Sequence, residues 1–147
     1  MTTNKRARRD GTYTLEFAFV AIIFFMFLFA IFEYGRFLMV KQTLEHAARE
    51  GARYAVVHTY DKTTSDIINH VTQFLPGMGS QLNNLTIQVY LADPATGNNI
   101  GNWTDAAFGQ SIAVQINGDY SPVLPQFLFM QSTIPVQARA MMISEAN

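Results

Sequence analysis

Residues 17–32 read FAFVAIIFFMFLFAIF, sixteen positions with no charge, no Pro and no Gly, and seven of them are Phe. A helix drawn through this run is apolar on every side, without the 3.6-residue alternation of a helix lying on a soluble core. The hydrocarbon core of a bilayer takes about 20 apolar residues as helix, each rising about 1.5 Å. The uncharged run alone is slightly short. Leu15 before it, and the apolar part of Tyr34–Val40 after it, bring it to spanning length, with Glu16 and Glu33 near the two interfaces. The reading is one transmembrane helix close to the N-terminus.

The flanks orient it. Lys5, Arg6, Arg8 and Arg9 stand within a few residues of the span, and basic residues stay on the cytoplasmic side. Residues 1–11 are therefore expected to be a cytoplasmic leader, with the bulk of the chain outside. Arg36 and Lys41 oppose this weakly, and Glu33 offsets Arg36. A removable secretory signal peptide has a similar basic and apolar order. It requires a small-residue cleavage site after the apolar run, where this chain has Glu33-Tyr34-Gly35-Arg36 and then more helix. Glu33 and Arg36 read as an i,i+3 pair at the membrane interface, beside Tyr34 in the aromatic belt.

Composition narrows the function classes. The net charge is −1 and the basic residues cluster in the leader, so nucleic acid has no electrostatic footprint here. There is no Cys, hence no disulfide, thiolate site or Cys nucleophile. His46, His58 and His70 are evenly spaced, but no pair stands at i,i+3 or i,i+4 and no carboxylates cluster with them, so no metal is expected. No nucleophile elbow and no phosphate loop occurs. Asn84-Leu85-Thr86 and Asn102-Trp103-Thr104 match the glycosylation sequon weakly, and Asp93 to Asp105 lacks the calcium-loop order. The expectation is a chain with no active site, no cofactor and no small-molecule substrate.

Helical periodicity continues past the span. Leu44, Ala47, Ala48, Gly51, Ala52 and Ala55 fall on one face, and Ala47-xxx-Gly51 and Ala48-xxx-Ala52 fit the small-xxx-small pattern of close helix packing. Gly51 costs a helix about 1 kcal/mol relative to Ala, which points to a tight contact there. Its partner is open: the chain's own sheet, or a neighbouring subunit.

Residues 59–147 read as a small head. Residues 59–65 are polar and break the long helix. Asp61 or Thr63 is placed to cap a second helix over about 64–75, with Ile67, Ile68, Val71, Phe74 and Leu75 as its apolar face, ended by Pro76-Gly77-Met78-Gly79. Leu85 to Leu91, Ser111 to Ile116 and Ile134 to Met142 alternate as half-buried strands. Asn117-Gly118-Asp119 reads as a turn, and Phe127-Leu128-Phe129-Met130 as an exposed apolar loop or short helix. The predicted fold is α+β: a long transmembrane helix, residues 12–58, continuing outside the membrane and packed on a small antiparallel sheet of three strands.

One carboxylate at the entry of the span calls for an account. Glu16 is either a tolerated interfacial carboxylate, paired with Arg9, or a functional group. If a peptidase cuts after Gly11, Thr12 gains a free α-amino group and Glu16 stands at i+4 from it, able to pair with that ammonium or with a neighbour's and so set helix register. Gly11, lacking a side chain, enters a tight cleft easily in extended form. A Gly followed by a Glu at the fifth position, between a basic leader and an apolar helix, resembles a class III, type IV prepilin-like signal. Glu16-Phe17-Ala18, Glu33-Tyr34-Gly35-Arg36 and Ala47-Ala48-Arg49-Glu50-Gly51-Ala52-Arg53-Tyr54-Ala55 together resemble the TadE-like proteins, minor pilins or pseudopilins of tight-adherence, Flp-type pilus systems. The likeness is strongest over residues 11–56. Relatives often carry a Pro several residues after the glutamate, where this chain has Ala21-Ile22-Ile23. The resemblance implies cleavage between Gly11 and Thr12 by a prepilin peptidase, a register role for Glu16, and assembly with other pilin-like subunits. It also implies a pilin-like head and a bacterial inner-membrane location with the head periplasmic. The alternative is an uncleaved single-pass protein whose head binds a ligand or the cell wall.

Overall fold

The computed structural model describes residues 6–77, 81–125 and 130–145, with side chains from Gly11 onward. The side chains of the basic leader, Met78 and Gly79 of the expected helix stop, and Phe127 to Phe129 lie outside the described residues.

Helix α1 runs from Arg6 to Val57, 52 residues, about 78 Å at the usual rise. Its two halves have opposite surroundings. Residues 11–20 are exposed throughout, and Phe17, Phe27, Ile31 and Phe32 are each about two-thirds or more exposed. None of the most apolar 18-residue window is buried within the chain, so its cover must come from elsewhere. From Val40 onward one face sinks into the core: Val40, Leu44, Ala47, Ala48, Ala52 and Ala55 are fully buried.

Helix α2, Thr64–Gln73, lies beside that second half. Of the two proposed caps, Thr63 is the one used. Its hydroxyl accepts from the Asp66 amide, and the Asp66 carboxylate accepts from the Thr63 amide at 2.9 Å, a reciprocal capping box. Ile67, Val71 and Leu75 point into the core and Phe74 packs at its edge.

The sheet has four antiparallel strands in the order β2-β1-β3-β4, one more than predicted. Strand β1 is Leu82–Ala92, β2 is Asn99–Gly101, β3 is Ser111–Tyr120 and β4 is Ile134–Ile143. The added strand is three residues at the edge of β1, too short to show an alternation. Asn117-Gly118-Asp119 is not a turn: it lies inside β3, paired with β1 and β4. The irregularity sits opposite, in β1, where the register shifts between Asn83 and Thr86 and Asn84 adopts φ 52°. Gly118 faces inward, and a Cβ there would stand 3.5 Å from Leu82 Cδ2. Asn and Gly here serve a bulge and a close approach rather than a chain reversal.

The α1 face and α2 cover one side of the sheet. Ile112, Val114, Ile116, Val136 and Ala138 meet them from β3 and β4. Trp103, in a short 3-10 turn after β2, is fully buried and donates from Nε1 to Thr64 Oγ1 at 2.9 Å, tying the sheet edge to the start of α2. On the other side, Tyr90, Ala92 and Ala113 form a smaller cluster under the β1–β2 loop. There Tyr90 Oη and Arg139 Nη1 both donate to the Gly97 carbonyl.

Candidate functional site

The candidate site is α1 itself, in three parts: its N-terminal end, the point where it enters the head, and its buried half. At the N-terminal end, Gly11, Thr12 and Glu16 are all exposed, and nothing lies within 4 Å of a Cβ built on Gly11. The chain is helical through Gly11 rather than extended, so a peptidase must open a turn of helix to reach the Gly11–Thr12 bond. Glu16 makes no ion pair to any described side chain.

The second part is the junction. Glu33, though flanked by exposed Phe32 and Tyr34, is only 5% exposed. Its Oε1 accepts from the Tyr120 hydroxyl at 2.5 Å, and its Oε2 accepts from the Val123 amide at 3.3 Å and from Arg36 Nη1 at 3.5 Å. Glu33, Arg36 and Phe37 stand at i, i+3 and i+4, so one helix face presents a carboxylate, a guanidinium and an aromatic ring together. All three engage Tyr120: Phe37 meets its ring edge-on at 5.5 Å between centroids, and the Arg36 guanidinium lies 5.9 Å from the ring centroid. Burial, with the Glu33 carboxylate accepting from it, pushes the Tyr120 phenol up to about 12. The expected Glu33–Arg36 pair is present, but as one edge of a lock between the helix and the last residue of β3. Spacing along α1 found Glu33 and Arg36; nothing local pointed to Tyr120.

The third part answers the question left open for the small-residue face. Ala47, Ala48, Gly51 and Ala52 are buried against the chain's own α2 and sheet. A Cβ on Gly51 would collide with Val71 Cγ2 of α2 and stand 3.3 Å from Val114 Cγ1 of β3. This face is filled from within the chain, which leaves none of the four for a neighbouring subunit.

The three histidines, unremarkable in spacing, are gathered along the α1–α2 seam. The Tyr54 ring lies between His58, at 4.2 Å, and His70, at 4.1 Å; Phe74 then separates His70 from His46, at 5.2 and 5.6 Å. The local signal was there: Tyr54 and His58, and His70 and Phe74, are i,i+4 pairs on two helices that pack together. Among the described residues, no group of three or more His, Cys, Asp or Glu is placed to hold a metal ion. The ladder is packing between rings.

These features define an α+β protein with one helix, among the described residues, long and apolar enough to cross a membrane, bare at one end and the spine of the head at the other. Within it, residues 11–53 match the model of the TadE-like protein family. The match spans the exposed apolar half, the junction residues Glu33 and Arg36, and the small-residue face as far as Arg53. The match covers under half of the chain and falls within the segment, residues 11–56, where the sequence resemblance is strongest. No curated protein and no solved structure gives a match.

Proposed function

We propose that this chain is a minor pilin or pseudopilin, a structural or assembly subunit of a Tad-type pilus or secretion system serving surface attachment. It sits in the bacterial inner membrane with residues 1–11 cytoplasmic and the head periplasmic. A prepilin peptidase hydrolyses the Gly11–Thr12 bond, and the new Thr12 ammonium pairs with Glu16 of its own chain or of a neighbour. Other pilin-like subunits and the assembly machinery meet it along the exposed half of α1. One observation carries this reading: one helix is bare and apolar over its first half, within the segment that matches the TadE-like model, and becomes core where it enters the head. The small-residue face is excluded from the assembly surface, because the head already fills it.

Intact-mass measurement of the membrane-extracted protein, from cells with and without the peptidase, tests the proposal. A mature chain beginning at Thr12 only where the peptidase is present supports it. A chain that keeps its leader in both strains returns the protein to the uncleaved, single-pass alternative.

A further inference from the structure

An apolar groove of about 700 Å³ runs along α1 beneath the head. Its walls are Met26, Phe27 and Ala30 from the helix, and Met130 and Ile134 from the head side. On α1 its lining runs from Ile23 at the inner end to Phe37 at the outer end, with Glu33 and Tyr34 before Phe37. Ile23 and Glu33 are ten positions apart, about 15 Å of helix, half the roughly 30 Å thickness of a bilayer's hydrocarbon core. With Glu33 at the outer interface, the groove reaches from that interface to about the bilayer midplane. The part of it from Ile23 to Glu33 has the depth of one leaflet, and Tyr34 and Phe37 line the part beyond.

The head side of the groove is as apolar as the helix side. From Tyr120 to Ala138 no residue is charged. Val123 is 62% exposed, and Leu124 and Met130 are more than a third exposed, beside the junction that fixes their height at Glu33. Another helix is a poor fit: close helix packing wants small residues, and this groove is walled mostly by bulky ones. The charged group in the lining is already engaged, since both Glu33 oxygens accept from Tyr120, Val123 and Arg36, and the Tyr34 hydroxyl stands at the outer part of the groove, level with the interface.

We propose that an acyl chain of an outer-leaflet phospholipid lies in this groove, and that Val123, Leu124 and Met130 seat in the same leaflet. The head is then held on the membrane at a second point besides its helix. This rests on the membrane-spanning reading of α1 and goes beyond it, because an anchored helix alone does not require its head to touch lipid.

The chain has no Cys, so single substitutions place a label at one position. Leu124→Cys, Phe25→Cys in the span and Thr96→Cys in the β1–β2 loop, at the far end of the sheet, are each labelled with an environment-sensitive fluorophore. The full chain is reconstituted in phosphatidylethanolamine–phosphatidylglycerol nanodiscs, and quenching by acyl-chain spin-labelled lipid is compared with quenching by aqueous iodide. The label at Leu124 should match that at Phe25 in lipid quenching within about twofold, and be reached by iodide about fivefold less than that at Thr96. Iodide access at Leu124 equal to that at Thr96 overturns the proposal while leaving the anchor intact. Protection from both quenchers also overturns it, because a protein then covers the site. Iodide access at Phe25 overturns the anchor and the groove together. A photoactivatable residue in place of Ala30 should give a phospholipid adduct by intact mass; a chain-to-chain cross-link in its place would sink the lipid assignment.

Discussion

The Tyr120 hydroxyl donates to Glu33 Oε1 at 2.5 Å, closing a loop between residues 87 positions apart. The bond joins the C-terminal end of the apolar run to the end of β3, and so fixes where the head stands along the helix. Removing the donor leaves one oxygen of a buried carboxylate short of a partner. A hydrogen bond to a charged group contributes about 1.5–3 kcal/mol. Tyr120→Phe should therefore lower the unfolding free energy of the detergent-solubilised chain by that amount, read as a lower urea midpoint, while the edge-on contact with Phe37 is retained. An unchanged midpoint would mean that the head does not depend on this bond.

The same contact predicts a stability loss at high pH. Burial and the hydrogen bond to Glu33 hold the Tyr120 phenol at about 12, against about 10 in an unfolded chain. A raised value means that the folded state favours the protonated phenol. The contribution is complete below about pH 10 and is lost as pH rises towards about 12. A shift of this size is at most about 3 kcal/mol. Followed by near-ultraviolet absorbance of phenolate, a late ionisation step should appear together with unfolding, and that step should vanish in Tyr120→Phe.

Gly51 is placed for space rather than for backbone freedom. Ala at this position would gain about 1 kcal/mol of helix propensity. It would also drive a methyl group into Val71 Cγ2, with Val114 Cγ1 3.3 Å away. Val71 is β-branched and sits in a helix, which holds it to one preferred rotamer, and it is fully buried. Overpacking of this kind costs about 1–3 kcal/mol. Gly51→Ala is therefore expected to be net destabilising, and Gly51→Ala with Val71→Ala to recover part of the loss; a more stable single variant would refute the packing argument.

What was legible in the sequence was local. The unbroken run Phe17–Phe32 announced a helix with no core of its own, and Ala47, Ala48, Gly51 and Ala52 announced a close approach. Alternation over Leu85–Leu91 and Ile134–Met142 placed two strands, since each has one face towards the helices. What the small residues approached was not legible, because small size records closeness and not the identity of the neighbour. Asn117-Gly118-Asp119 misled because the same residue types that favour turns also suit a strand facing a bulge. Tyr120 was hidden for a simpler reason: no sequence period links it to Glu33, and only the topology brings β3 back to that level of α1.

The second helix begins on a cap with its own pH signature. The Thr63 amide and hydroxyl both donate to the Asp66 carboxylate, at 2.9 and 2.8 Å, and hold its pKa below the usual Asp range. A depressed value contributes stability above the ordinary carboxylate range, and that contribution is lost as pH falls through the lowered value. Replacing an N-cap Thr by Ala costs about 1 kcal/mol. In Thr63→Ala, the Asp66 carboxyl resonance should titrate at a higher pH, back towards the ordinary range. Trp103 fluorescence is the second readout, because its ring donates to Thr64, the next residue; opening of the cap should shift its emission to longer wavelength.

Glu16 separates a folding role from an assembly role. It is exposed on α1 and lies far along the helix from the head, which begins to bury α1 residues only at Glu33. Glu16→Ala should therefore leave the urea midpoint and Trp103 fluorescence unchanged. If the carboxylate pairs with a Thr12 ammonium, the variant should still lose its leader but co-purify poorly with the proposed pilin-like partners. Glu16→Gln should behave nearly as badly, since the amide keeps the shape and loses the charge. Normal co-purification of both variants would reduce Glu16 to an interfacial carboxylate. Glu16→Asp sharpens the distinction: a carboxylate tolerated at an interface is indifferent to one methylene, whereas a register contact with a fixed partner is not.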